Sequence, residues 1–171
     1  MGKEEQRGGA KSESMTSYAR FSEVLGLFVN LTMRGKKVVS VRLSNEPPSG
    51  PYSEDHPYLT RIINHIATGK DGMRDIPLDL EVTPFAREVL EQLRNVPPGE
   101  VVTYGEIARR LGKPNASRAV GSACAKNPVT IIVPCHRIVP KSGGVGNYTS
   151  DGGSKVKVKL LKQEGALSKV K

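Results

Sequence analysis

The chain has 171 residues, is 37% hydrophobic and carries a formal net charge of +9. That length and apolar content suit one large domain or two small ones, and no apolar run approaches the roughly 18 residues that span a bilayer. Its two cysteines, Cys124 and Cys135, lack any Cys-x-x-Cys spacing, which argues against a disulfide framework and a structural metal, so no metal and no cofactor are expected.

Met1 to Ser14 is polar and charged rather than signal-like, so residues 1–15 read as a disordered tail of an intracellular protein, cytoplasmic, or nuclear in a eukaryotic cell. Glu23 to Leu31 and Lys37 to Ser44 read as strands joined at Arg34-Gly35-Lys36. In the second, Val39, Val41 and Leu43 alternate with polar residues. A loop over Asn45 to Glu54, a helix over Pro57 to Ala67 and an extended piece from Ile76 to Val82 complete a first α/β region, residues 16–81. His56 and His65 read as ordinary surface or helix residues.

The second region, residues 82–171, holds 15 Lys and Arg against 6 Asp and Glu, so the whole basic excess lies here. Such asymmetry fits a nucleic-acid partner, although solubility alone also accounts for it. Thr83-Pro84 supplies an N-cap and a proline at the first helical position, with Phe85, Val89, Leu90 and Leu93 as the inner stripe. Thr103-Tyr104-Gly105-Glu106 has the form of a capping box that opens a short helix. After a tight connection at Gly112 to Asn115, Ala116, Ala119, Val120 and Ala123 repeat at helical spacing, completing a helix-turn-helix pattern. Ser117, Ala119, Gly121 and Ser122 are small, and Arg118 is the one long side chain among them. This suits close approach to DNA with little base specificity, or equally tight helix packing.

Val129 to Val133 reads as a buried strand that delivers Cys135 and His136. A thiol attacks as its thiolate and needs a base, and His136 can take the proton, directly or through one water. Val156, Leu160 and Glu164 fall at helical spacing in a closing helix, about Gly153 to Gly165, so Glu164 is a candidate to orient the imidazole. A Cys-His pair by itself is more often part of a structural core than catalytic. A projecting arginine beside a nucleophile fits chemistry on a base flipped out of its stack.

The ordered string Tyr104, Ser117-Arg118-Ala119-Val120-Gly121, Asn127-Pro128, Ile132 to Val139 with Pro-Cys-His-Arg at its centre, Gly146-Asn147-Tyr148 and Glu164-Gly165 closely resembles the O6-alkylguanine-DNA alkyltransferases. The resemblance spans about residues 82–166. It implies an α+β fold, with a small ribonuclease H-like first domain and a mostly helical second domain that binds DNA through a helix-turn-helix. It implies that Cys135 accepts the alkyl group from O6 of guanine, or O4 of thymine, once and irreversibly, with His136 and Glu164 as its relay. Tyr104 would rotate the nucleotide and protonate the leaving guanine, and Arg118 would be the intercalating finger on a helix lying in the minor groove. Cys124, Ile138, Tyr148 and Thr149 would line the pocket, and Asn127 would hold the turn before the acceptor. The expected partner is double-stranded DNA carrying O6-alkylguanine, bound by a monomer, with cooperativity along DNA left open. A relative that only recognises the lesion would lack the acceptor cysteine, and Cys135 is present. A helix-turn-helix regulator would use Cys135 only as core.

Overall fold

The computed structural model describes residues 13–171. Three antiparallel strands, β1 (Met15–Ser22), β2 (Leu27–Arg34) and β3 (Lys37–Ser44), form a sheet in sequential order. In β2, Leu27, Val29, Leu31 and Met33 are buried and the residues between them are not, as a strand with one core face requires. The strand expected from Glu23 starts only at Leu27 and runs on to Arg34. Before it the chain turns: Ser22 Oγ accepts from Leu25 N at 3.2 Å, Ser22 O accepts from Gly26 N at 2.8 Å, and Gly26 takes a φ of 68°. β1 was not expected, because it buries only Ala19 and Ser22 and shows no apolar alternation. The expected tail lies mostly outside the described residues, and Met15, placed in it, pairs with Arg34 instead.

Both sheet edges are covered, which removes free strand edges as templates for association. Ser53 exchanges backbone hydrogen bonds with Ser17 and Ala19 at 3.1 and 2.9 Å. On the far side, Val38 pairs with Pro77 and Asp79, and Val41 donates to Pro128 O at 2.9 Å and accepts from Thr130 N at 3.2 Å.

Helix α1 (Pro57–Thr68) packs its Leu59, Ile62 and Ile66 into the core, and His56, beyond its surface role, caps it by accepting from Tyr58 N at 3.0 Å. Helix α2 (Pro84–Arg94) begins as expected, with Thr83 Oγ1 accepting from Ala86 N, and buries Val89, Leu90 and Leu93. Each such aliphatic side chain contributes about 1.5–3 kcal/mol of burial. Helices α3 (Tyr104–Arg110) and α4 (Ser117–Ala125) pack on each other and on α2. Thr103 Oγ1 accepts from Glu106 N at 3.1 Å, one half of the capping box. Helix α5 (Ser154–Gln163) closes the fold. One contiguous buried cluster joins β2, β3, α1, α2, α4 and α5.

The expected strand Val129 to Val133 is instead a buried turn. Ile131 takes a φ of 77°, and Val133 N donates to Val129 O at 3.0 Å. A short, wholly apolar run reports burial without reporting period, and tertiary contact with the edge of β3 decides its path. Cys135–Arg137 then forms a 3-10 turn rather than the end of a strand. Two short strands follow this logic of position: β4 (Val102–Thr103) pairs in parallel with β5 (Ile138–Val139), tying the start of α3 to the residues just after Cys135.

Candidate active site

Cys135 is 8% exposed and forms part of a cavity of about 240 Å³ lined also by Tyr104, Gly121, Cys124, Ala125, Asn127, Thr130, Ile138, Asn147, Tyr148 and Thr149. Gly121 turns its bare Cα toward the Tyr104 ring, where a Cβ would meet the ring at ordinary contact distance. Asn127, just past α4, ties three points together. Its Nδ2 donates to Val133 O at 3.0 Å and to Cys135 Sγ at 3.1 Å, and its Oδ1 accepts from Val129 N at 3.0 Å. The Cys135 thiol in turn points to Cys124 O at 3.7 Å.

Left to its surroundings, this thiol resists ionisation. The neighbouring Cys124 and burial push it well above its ordinary range, while the Asn127 N–H and the Lys157 ammonium pull it down. Lys157 is fully buried on α5, with its Nζ 3.4 Å from Asn147 O, and burial lowers it to about 8.

His136 Nε2 lies 2.7 Å from Glu164 Oε2, and no hydrogen bond joins Cys135 to His136 among the described residues. Burial alone would raise the Glu164 carboxyl, yet Arg137 and the two imidazoles around it hold it well below the usual carboxylate range. An ionised carboxylate only accepts, so His136 Nε2 carries the proton and Nδ1 keeps its lone pair. That Nδ1 is buried and has no partner among the described residues. Burial lowers the His136 pKa, so the ring is a neutral base at neutral pH.

Glu164 is the residue just beyond α5 rather than on its interior face, and its side chain is 1% exposed. Arg137 grips it with two bonds, Nε to Oε1 at 2.9 Å and Nη2 to Oε2 at 2.8 Å, and sends Nη1 to Val96 O at 2.6 Å. His65 is not the ordinary helix residue expected: it is buried, and its Nε2 lies 2.7 Å from the same Oε2. Glu164, His65 and His136 lie within 4.8 Å of one another, a spacing that a metal ion could use. Proton-bearing nitrogens and the Arg137 guanidinium already occupy the carboxylate, so the group is a hydrogen-bonded cluster.

Of the other expected residues, Arg118, Ala119 and Ser122 are exposed on α4, and Ser117 is half-buried at its first turn. None of these four lines the cavity; Ala119 and Ser122 face a separate apolar groove against α2. Thr149 and Tyr148 stand at the rim, and the buried Tyr148 hydroxyl has no partner among the described residues. His65, Arg137, Lys157 and Thr130 were not marked as site residues. Arg137 directly follows His136 and is the one with a sequence signal, since a cation there needs a carboxylate.

The fold and site define a mixed α/β protein with a small antiparallel sheet and, among the described residues, five helices, in which Cys135 lines a pocket beside two short helices and the buried His136 follows it directly. Residues 84–166 match the family model of the 6-O-methylguanine DNA methyltransferase DNA-binding domain. A methylated-DNA–protein-cysteine methyltransferase of Methanosarcina acetivorans is 40% identical over 81% of this chain and 85% of its own length, and one of Shigella flexneri 39% over 74% and 68%. The crystal structure of Mycobacterium tuberculosis OGT in complex with DNA superposes with a TM-score of 0.74 at 32% identity, covering 89% of this chain and 94% of the other. The chain belongs to the methylated-DNA–protein-cysteine methyltransferase family.

Proposed function

We propose that the chain carries out direct-reversal DNA repair, moving an alkyl group from O6 of guanine in duplex DNA onto its own Cys135. The observation that carries this reading is the pairing of a pocket-lining Cys135 Sγ with a neutral His136 whose proton-bearing Nε2 is fixed on Glu164. The thiol proton passes through one water to His136 Nδ1, and the thiolate attacks the alkyl carbon in line with the C–O6 bond. A carbon–sulfur bond forms as the C–O6 bond breaks, and guanine leaves as an oxyanion. Tyr104, kept protonated because burial raises its pKa, supplies a proton to the leaving base and is restored from His136. The thioether has no route back to thiol, so each molecule acts once.

Residues 82–171 form the DNA-binding and alkyl-acceptor domain in this reading, and residues 16–81 a ribonuclease H-like domain. α3 and α4 serve as a helix-turn-helix. The exposed small face of α4, with Arg118 projecting and Arg109, Arg110 and Lys126 also exposed, suits a monomer entering the minor groove with little sequence preference. Arg118 fills the gap left by the flipped guanine, Ser117, Ala119, Gly121 and Ser122 allow close approach, and Asn127 anchors the acceptor segment. Cys124, Ile138, Tyr148 and Thr149 wall the base pocket.

Intact mass after mixing with an equimolar duplex bearing one O6-methylguanine tests the reading. The expected result is one added methyl that maps to Cys135 and is absent from Cys135→Ala. Tight binding with no mass change would instead mean lesion recognition without repair.

A further inference from the structure

The relay has a member from the first half of the chain. His65 lies on α1, and its ring is held at both ends. Its Nδ1 accepts from Asp71 N at 3.1 Å, so the ring proton sits on Nε2 and points to Glu164 Oε2 at 2.7 Å. His136 Nε2 reaches the same oxygen at the same 2.7 Å, and Arg137 Nη2 reaches it at 2.8 Å. One oxygen atom thus serves three donors, and the strength of its bond to His136 depends on what the other two withdraw.

The packing that brings His65 there is equally specific. α1 ends at Gly69, whose φ of 70° is left-handed, and a Cβ at that position would overlap the carbonyl oxygen of Gln163 and the Cα of Glu164. Gln163 Nε2 donates to Ala67 O at 2.9 Å beside it. The ends of α1 and α5 therefore meet backbone to backbone, with His65 and Glu164 facing each other across the seam. Asp71, which orients His65 through its N–H, is itself held by Arg61 at 2.8 Å.

We infer that His65 is a positioning residue of the alkyl-transfer relay: a neutral imidazole from the first half of the chain that holds Glu164 and sets how basic His136 is. The inference rests on the reading of Cys135, His136 and Glu164 as acceptor, base and orienting carboxylate. The groups that face His65 are Glu164 from the end of α5, His136 and Arg137 from the 3-10 turn, and the Asp71–Arg61 pair behind it. Without the His65 donor, Glu164 bonds His136 more strongly and makes it the stronger base, so the thiol gives up its proton at a lower pH.

The experiment follows carboxamidomethylation of Cys135 by iodoacetamide against pH, located by peptide mapping, alongside methyl transfer from the O6-methylguanine duplex. Variants are His65→Leu, His65→Gln, which keeps an N–H donor at similar reach, and Gln163→Ala, which loosens the same seam without touching the cluster. The expected result is a fall of about half to one pH unit in the midpoint for His65→Leu, with a several-fold faster reaction at neutral pH. His65→Gln should recover most of it, and Gln163→Ala should leave the midpoint in place. An unmoved midpoint in His65→Leu, or the same shift in Gln163→Ala, overturns the inference. Because thiol alkylation needs no guanine, failure of methyl transfer by the wild-type protein would count against the proposed function alone.

Discussion

Two arginine–carboxylate clusters flank the segment that follows α1, and they differ mainly in their access to water. Arg61 bonds Asp71 and Asp75, each at 2.8 Å, with side chains 31%, 33% and 72% exposed. Arg137, His136 and His65 converge on Glu164 at 2.7–2.8 Å, with every side chain at most 2% exposed. Similar bond lengths carry different consequences. In water the first pair gains little, because solvent already serves both charges. In the interior the same attraction must offset a large desolvation cost, so every member depends on every other. The outer cluster braces a loop, and the inner one fixes the His136 proton on Nε2 and leaves Nδ1 able to accept.

The strongest way to break this contrast is Glu164→Gln. It leaves Arg137 buried without its counter-charge, with an expected loss of about 3–5 kcal/mol. Alkyl transfer should fall at least about a hundredfold, the range of a lost acid–base relay. Urea titration and single-turnover transfer read the two effects. The sign with pH follows from the depressed Glu164 pKa: its stabilisation is fully present above the ordinary carboxylate value of 4.5 and is lost as pH falls below it. The wild-type protein should therefore lose stability faster than Glu164→Gln between about pH 5 and pH 3.

Lys157 sharpens the contrast, being a buried cation with no carboxylate partner among the described residues. Its folded pKa of about 8 lies below the ordinary 10.5, so the charged form costs stability below pH 8, and that cost disappears as pH rises toward 10.5. Lys157→Met should be more stable at pH 7, by on the order of 3 kcal/mol at most. It should also react more slowly, because the ammonium helps hold the Cys135 thiolate. A variant no more stable than the wild-type protein at pH 7 and unchanged in rate would contradict both points. The smallest effect belongs to the outer cluster: Arg61→Gln should change stability by no more than about 1 kcal/mol and leave transfer intact.

The caps were legible in the sequence because they are local. Thr83 with Pro84, and Thr103 three residues before Glu106, name their helix starts without help from the rest of the chain. The neighbouring Cys135 and His136, and Glu164 at helical spacing from Leu160, were legible for the same reason. What escaped depends on distant partners. β1 is a strand because β2 and Ser53 pair with it, although its own residues do not alternate. Ile131 takes a turn conformation because β3 receives the backbone on either side of Val129, just before it. His65 is 99 residues from Glu164, and nothing within α1 distinguishes a histidine that faces solvent from one that faces a carboxylate.

The seam at Gly69 also limits modularity. Exchanging the first half of this chain for that of a relative would demand more than a compatible sheet: the graft must end its helix without a Cβ against Gln163 and present a donor at the height of His65. A chimera that keeps every residue from Pro84 onward could bind damaged DNA and still hold a thiol that ionises in the wrong pH range, so the halves are best recombined with residues 65–71 carried along with the acceptor.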